Sequence, residues 1–100
     1  MNEFILYGKA VDKPDLQQSN NGLKYCNLFL EVKPPISGKD KELYRVTCFK
    51  NIAEECNNNV YAGTKLVIRG RLQENNFTKE KDGETIYRSE LVGERFTYIE

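Results

Sequence analysis

Across residues 23–32 the side chains alternate without a break: Cys26, Leu28, Leu30 and Val32 fall on one face, and Tyr25, Asn27, Phe29 and Glu31 on the other. A period of two is the pattern of a β-strand with one face in a core and one toward solvent. Pro34-Pro35 then removes two backbone donors and ends the ladder, and Ser37-Gly38-Lys39-Asp40-Lys41 reads as a solvated loop. The alternation returns over residues 42–49, where Tyr44, Val46 and Cys48 point one way and Leu43, Arg45, Thr47 and Phe49 the other. An outward set that holds both an arginine and a phenylalanine calls for a functional reading.

The remaining segments complete a β-rich order. Residues 4–11 form a first strand that Gly8 allows to bend, closed by Pro14 and Asp15. Ser19-Asn20-Asn21-Gly22 supplies a turn before the second strand. After Phe49 a helix is predicted, with Asn51 as N-cap, Glu54 closing a capping box, and Glu54 and Glu55 in the first turn. Ile52, Cys56 and Val60 make its apolar stripe, and Gly63 is placed to end it in a left-handed conformation. A fourth strand over 65–76 turns Leu66, Ile68 and Leu72 inward and carries Arg69 and Arg71 on the other parity, which Phe77 shares. The polar tip Lys79-Glu80-Lys81-Asp82-Gly83-Glu84 reads as a hairpin, and a final strand covers 85–99. The order β-β-β-α-β-β in 100 residues predicts a single all-β domain. It matches a five-stranded OB-fold barrel, with one helix between the third and fourth strands packed over one opening.

Composition narrows the function classes. With 39% hydrophobic and 30% charged residues the chain is that of a soluble globular protein. No apolar run nears the ~20 residues of a membrane helix. The start Met1-Asn2-Glu3-Phe4-Ile5-Leu6 has no basic leader, so the expected compartment is the cytoplasm. The absence of histidine removes Ser-His-Asp and Cys-His chemistry, and no phosphate-cradling loop or nucleophile elbow occurs. Glu54 and Glu55 are adjacent and point to different sides of a helix, so they are not facing catalytic carboxylates. Cys26, Cys48 and Cys56 have no repeated short spacing. Neither a zinc site nor a disulfide framework is expected, and Cys26 and Cys48 read as small buried hydrophobes. A binding protein without cofactor, rather than an enzyme, is the expectation.

At this point a family resemblance becomes visible. Asn2-x-x-Ile5-Leu6-x-Gly8, Asp12-x-Pro14-Asp15-Leu16, Asn21-Gly22 and Asn27-x-Phe29-Leu30 resemble the opening of bacterial and phage single-stranded-DNA-binding proteins. Tyr44-Arg45-Val46-Thr47-Cys48-Phe49, Ala53-Glu54, Gly63, Val67-x-x-Gly70-Arg71-Leu72 and Asp82-Gly83 before Tyr87 follow in the same order with nearly the family's spacing. The resemblance covers almost the whole chain. It implies an OB-fold that holds unpaired DNA without base-specific readout, and a homo-oligomer, usually a tetramer assembled through the first strand and neighbouring sheet surfaces, with a dimer as the alternative.

Unpaired DNA offers bare base faces beside a charged backbone, so its binder needs flat apolar side chains interleaved with cations. The family's stacking positions fall on Leu43, Phe49 and Phe77, of which Leu43 departs by lacking a ring. Phe29 stands outward where relatives commonly have a small polar residue and offers a further platform. Arg45, Arg69 and Arg71 lie on the outward parity beside these rings and suit phosphates or cation–π stacking. Lys9, Lys33 and Lys50, near strand ends, are weaker candidates, and Tyr87 matches a family position on the hairpin arm. Tyr7, Tyr44 and Tyr61 are expected to serve packing.

Two features pull the other way. Fifteen basic residues balance 15 acidic ones, which predicts weaker and less salt-dependent binding than a basic module would show. The arm before Phe77 reads Gln73-Glu74-Asn75-Asn76 where relatives are often basic. The family also implies a flexible linker and acidic tip that recruit replication and repair proteins, whereas here Glu100 follows the last strand. That fits either a longer chain cut short or a tail-less relative carried by a phage or mobile element. The alternative function is an OB-fold interaction module of a primosome-type or mobile-element replication complex, with slight DNA affinity.

Overall fold

The computed structural model describes residues 1–34, 36, 40–74, 77–78, 83, 85–86 and 88–99, with the backbone alone at Phe77, Thr78 and Ile86. Its elements in chain order are β1 (Phe4–Ala10), β2 (Gln17–Gln18), β3 (Lys24–Val32), β4 (Glu42–Phe49), α1 (Lys50–Asn59), β5 (Lys65–Glu74), β6 (Phe77–Thr78), β7 (Thr85–Ile86) and β8 (Ser89–Tyr98). The sheet runs β1-β5-β8-β4-β3-β2, and an added β1–β3 pairing closes its five long strands into a ring. This is the expected five-stranded barrel, with α1 joining its third and fourth long strands. β6 and β7 form a separate two-stranded arm.

Closure depends on two strand glycines. β1 pairs with β5 over Phe4 to Lys9 and with β3 at Lys9 and Ala10, so its backbone is squeezed between two neighbours. A Cβ at Gly8 would lie 2.4 Å from the Glu31 carbonyl oxygen. The absent side chain therefore serves close backbone approach more than a bend. At Gly70 a Cβ would come within 1.9 Å of the Val92 carbonyl oxygen, next to a register shift in the β5–β8 ladder. Bulges of this kind bend the ladder and aim strand ends away from the barrel. That corrects the expectation for Leu72, which is 45% exposed rather than inward. Its backbone N–H donates to Asn2 Oδ1 (2.8 Å) and its carbonyl accepts from Asn2 Nδ2 (2.6 Å).

The inward parity of β3, β4 and β5 makes the core: Cys26, Leu28, Leu30, Val46, Cys48, Leu66 and Ile68 are fully buried. Each large aliphatic among them contributes about 1.5–3 kcal/mol by leaving water. Helix α1 packs on β3, β4 and β8 and adds Ala53, Cys56 and, just past its end, Val60.

The helix starts earlier than predicted. Phe49, still extended at φ −124°, is the capping position, and no side chain caps α1. Asn51 is therefore no N-cap, and Glu54 and Glu55 lie beyond the first turn. The chain passes from strand to helix within a single residue, Lys50, which takes a left-handed φ of 55° to do so. Glu54 instead pairs with Lys24 across to β3 (2.7 Å). Glu55 accepts from the Tyr98 hydroxyl on β8 (3.2 Å). Gly63, at φ 90°, belongs to the turn closed by Thr64 N–H on Tyr61 O rather than to the helix end, since α1 stops at Asn59.

Candidate nucleic-acid interface

The antiparallel register of β3 and β4 sets their outward side chains opposite one another in four rungs: Tyr25 with Phe49, Asn27 with Thr47, Phe29 with Arg45, and Glu31 with Leu43. From Phe49 to Leu43 the track is about 20 Å long at a strand rise of about 3.3 Å per residue. Leu43 and Phe29 are 63% and 37% exposed, Arg45 is exposed, and Tyr25 and Phe49 are half-buried. The Asn27–Thr47 rung is closed on itself, because the Thr47 hydroxyl donates to Asn27 Oδ1 (3.1 Å). Among the described residues Arg45 has neither ion-pair nor hydrogen-bond partner. With no such partner among the described residues, its guanidinium lies opposite the exposed Phe29 ring, a combination suited to stacking and to a phosphate.

Each end of this track opens into a cleft. Beyond Phe49 a cleft of about 580 Å³ is lined by Phe49, Lys50, Ile52, Arg71 and Gln73. Arg71 is held there by Glu94 (3.5 Å) and donates to Gln73 Oε1 (2.7 Å). At the other end Leu43 shares a cleft of about 530 Å³ with Lys9, Glu31 and Lys41. A further cleft of about 300 Å³ beside it collects Lys9, Lys33, Lys41 and Lys65 around Tyr7. Four lysines line this cleft and make it electropositive in character, offset by Glu31, which pairs with Lys41 (3.1 Å).

The structure thus brings Phe29, Leu43, Arg45 and Phe49 onto one surface, with Lys50 and Arg71 at one end and Lys9 and Lys33 at the other. Arg69 is not on it: it lines a different cleft with Asn2, Glu3 and Arg95, and faces Glu3 at 3.8 Å. Phe77 pairs with Ile86 through its backbone in β6, while its side chain and all of Tyr87 lie outside the described residues. Tyr44 is half-buried, while Tyr7 and Tyr61 are 54% and 56% exposed, so the packing expected of these two would have to be against a partner subunit. Tyr61 lies under Lys13, whose Nζ is 4.5 Å from the ring centroid. Sequence reasoning missed Tyr25 as a site residue, although its parity with Phe29 was the available signal. It also missed Lys41 and Lys65, whose approach to Lys9 depends on long-range register.

The profile of the single-strand binding protein family matches residues 1–99. The chain belongs to the single-strand binding protein family. Its similar relatives in this family include the single-stranded DNA-binding protein of Oceanobacillus iheyensis, 29% identical over the whole chain and 64% of that protein. The protein of that name from Enterococcus faecalis is 28% identical over the whole chain and 55% of its own length. A thylakoid-associated single-stranded DNA-binding protein of Synechocystis is 26% identical, with 78% of it covered. The chain therefore spans between about half and two-thirds of the first two family members it matches. Among the described residues no helix is long and apolar enough to cross a membrane.

Proposed function

We propose that this chain binds single-stranded DNA without sequence specificity along the outer face of β3 and β4. The observation that carries the reading is the four-rung ladder, in which Phe29 and Phe49 stand exposed or half-exposed and Arg45 has no protein partner among the described residues. Bases of any identity have π-faces that stack on Phe49, Tyr25 and Phe29, each stacked base contributing about 1–3 kcal/mol. Arg45 in the middle, Arg71 and Lys50 at one end, and Lys9 and Lys33 at the other neutralise phosphates as the strand crosses. Phe77 and Tyr87 join the surface by family resemblance. Leu43 packs against a base without the planarity of a ring, so it holds less.

This is binding rather than catalysis, and it protects unpaired DNA during replication, recombination or repair in the cytoplasm of a bacterial cell, whether host, phage or mobile-element encoded. Ile5 and Tyr7, both 54% exposed on β1 with Val67 opposite Tyr7, offer an apolar patch for assembly into a dimer or tetramer. Replication proteins are further candidate partners.

The test is a titration of fluorescently labelled oligothymidine at low and moderate salt, beside a duplex of equal length. Binding of the single strand, with mixed-sequence strands close behind and the duplex far weaker, supports the reading. No binding at micromolar protein in low salt overturns it and leaves the protein-interaction module as the better account.

A further inference from the structure

Cys26, Cys48 and Cys56 share no spacing in sequence, yet the fold brings them to one point. Cys26 and Cys48 are direct cross-strand partners in β3–β4, and Cys56 reaches them from α1. All three are unbonded to one another and fully buried, with their sulfur atoms all within 4.8 Å of each other. The β8 backbone leaves room for the cluster: a Cβ at Gly93 would sit 3.0 Å from Cys48 Sγ. The chain has no histidine, and among the described residues no carboxylate joins the group.

Three sulfurs and no fourth donor decide what such a site could hold. A structural zinc ion takes four ligands, and this cluster offers one too few. Sulfur donors select soft, thiophilic ions. Complete burial adds a charge criterion, since an uncompensated charge in a core is strongly disfavoured. Three thiolates leave a divalent ion with a net negative charge and a monovalent ion with a larger one, but they cancel a trivalent ion.

We propose that Cys26, Cys48 and Cys56 form a three-sulfur site for a trivalent thiophilic metalloid, for which arsenite is the probe. Each thiol sulfur forms one bond to arsenic and gives up its proton, each As–OH bond breaks, and three water molecules leave. Arsenic stays trivalent, so no oxidant or reductant takes part. Three ligands at a bond length near that of zinc to sulfur, about 2.3 Å, around an arsenic whose lone pair makes it pyramidal with S–As–S angles of about 100°, would set the sulfurs roughly 3.5 Å apart. The present separations, within 4.8 Å, need at most about 1.3 Å of contraction by that geometry. The bonded ion ties α1 to β3 and β4 at the point where the helix covers the barrel. Entry requires transient opening of α1, so the adduct forms slowly.

The experiment incubates the reduced chain with arsenite, then reads native mass spectrometry, free thiols titrated after unfolding, and the melting temperature. One arsenic per chain, loss of all three titratable thiols and a raised melting temperature are expected. Arsenic X-ray absorption of the unaltered protein should show sulfur neighbours alone, a measurement that needs no variant. Cys56→Ala should lose the one-to-one, three-sulfur adduct. Thiols that all stay titratable in excess arsenite overturn the proposal. So does an adduct with oxygen neighbours, equal binding by Cys56→Ala, adduct formation confined to the urea-unfolded chain, or preference for zinc over arsenite.

Discussion

Replacing Phe49 by leucine separates ring stacking from packing. Phe49 is half-buried at the last position of β4, opposite Tyr25, and leads into the left-handed Lys50 that starts α1. Leucine keeps part of the apolar bulk there, and at a half-buried site the lost ring volume should cost only about 1–2 kcal/mol of stability. What it removes is the flat π-face over the cleft shared with Arg71. Loss of one stacked base, about 1–3 kcal/mol, corresponds to roughly a 5- to 150-fold rise in Kd. Fluorescence anisotropy with labelled oligothymidine measures it, with circular dichroism melting run alongside to show the barrel intact. The chain has no tryptophan, so the label must sit on the DNA. A Kd unchanged within twofold, with the fold retained, would refute the stacking role of Phe49.

Four further outcomes are expected. Leu43→Phe places a ring on a side chain already 63% exposed and should tighten oligothymidine binding by up to about 1–3 kcal/mol, read in the same titration. Arg45→Ala should lower the slope of log K against log salt by roughly 0.7, whereas Arg69→Ala, on another cleft and facing Glu3, should leave that slope unchanged. Gly70→Ala, whose new carbon would meet the Val92 carbonyl oxygen at 1.9 Å, should destabilise the fold by at least about 2 kcal/mol in thermal or urea melts. Burial, then the Glu55 carboxylate, pushes the Tyr98 hydroxyl up from 10.0 to about 12. Because the unfolded chain releases this proton first, stability should be full below about pH 10 and fall as pH rises from there toward 12. An ultraviolet tyrosinate titration checks this, and Glu55→Gln should bring the value part of the way down.

What the sequence made legible was whatever local periodicity encodes. The alternation in β3 and β4 placed Cys26, Leu28, Val46 and Cys48 in the core, where they are, and Phe29, Leu43 and Arg45 outside, where they are exposed, whereas Phe49 is half-buried and Thr47, read as outward, is buried at 5%. The helix was legible from Ile52, Cys56 and Val60, but its start was not. Capping preferences at Asn51 were overridden by the need to leave β4 at Phe49 and turn within Lys50. Leu72 was misplaced because strict parity ignores a bulge, and the bulge at Arg69/Gly70 is fixed by pairing with β8, far away in sequence. The same limit hid the meeting of Lys9 with Lys65 and of Cys56 with Cys26 and Cys48. Contacts made by barrel closure and by helix docking have no local signature.

The central claim is that bases rest on the β3–β4 face, and photo-crosslinking an oligonucleotide that carries halogenated uracils, followed by peptide mass spectrometry, addresses it most directly. The account predicts adducts at Phe49, Tyr25 and Phe29, which occupy two of the four cross-strand rungs. Adducts confined to Tyr7 and its neighbours on β1 and β5, with none on β3 or β4, would contradict it.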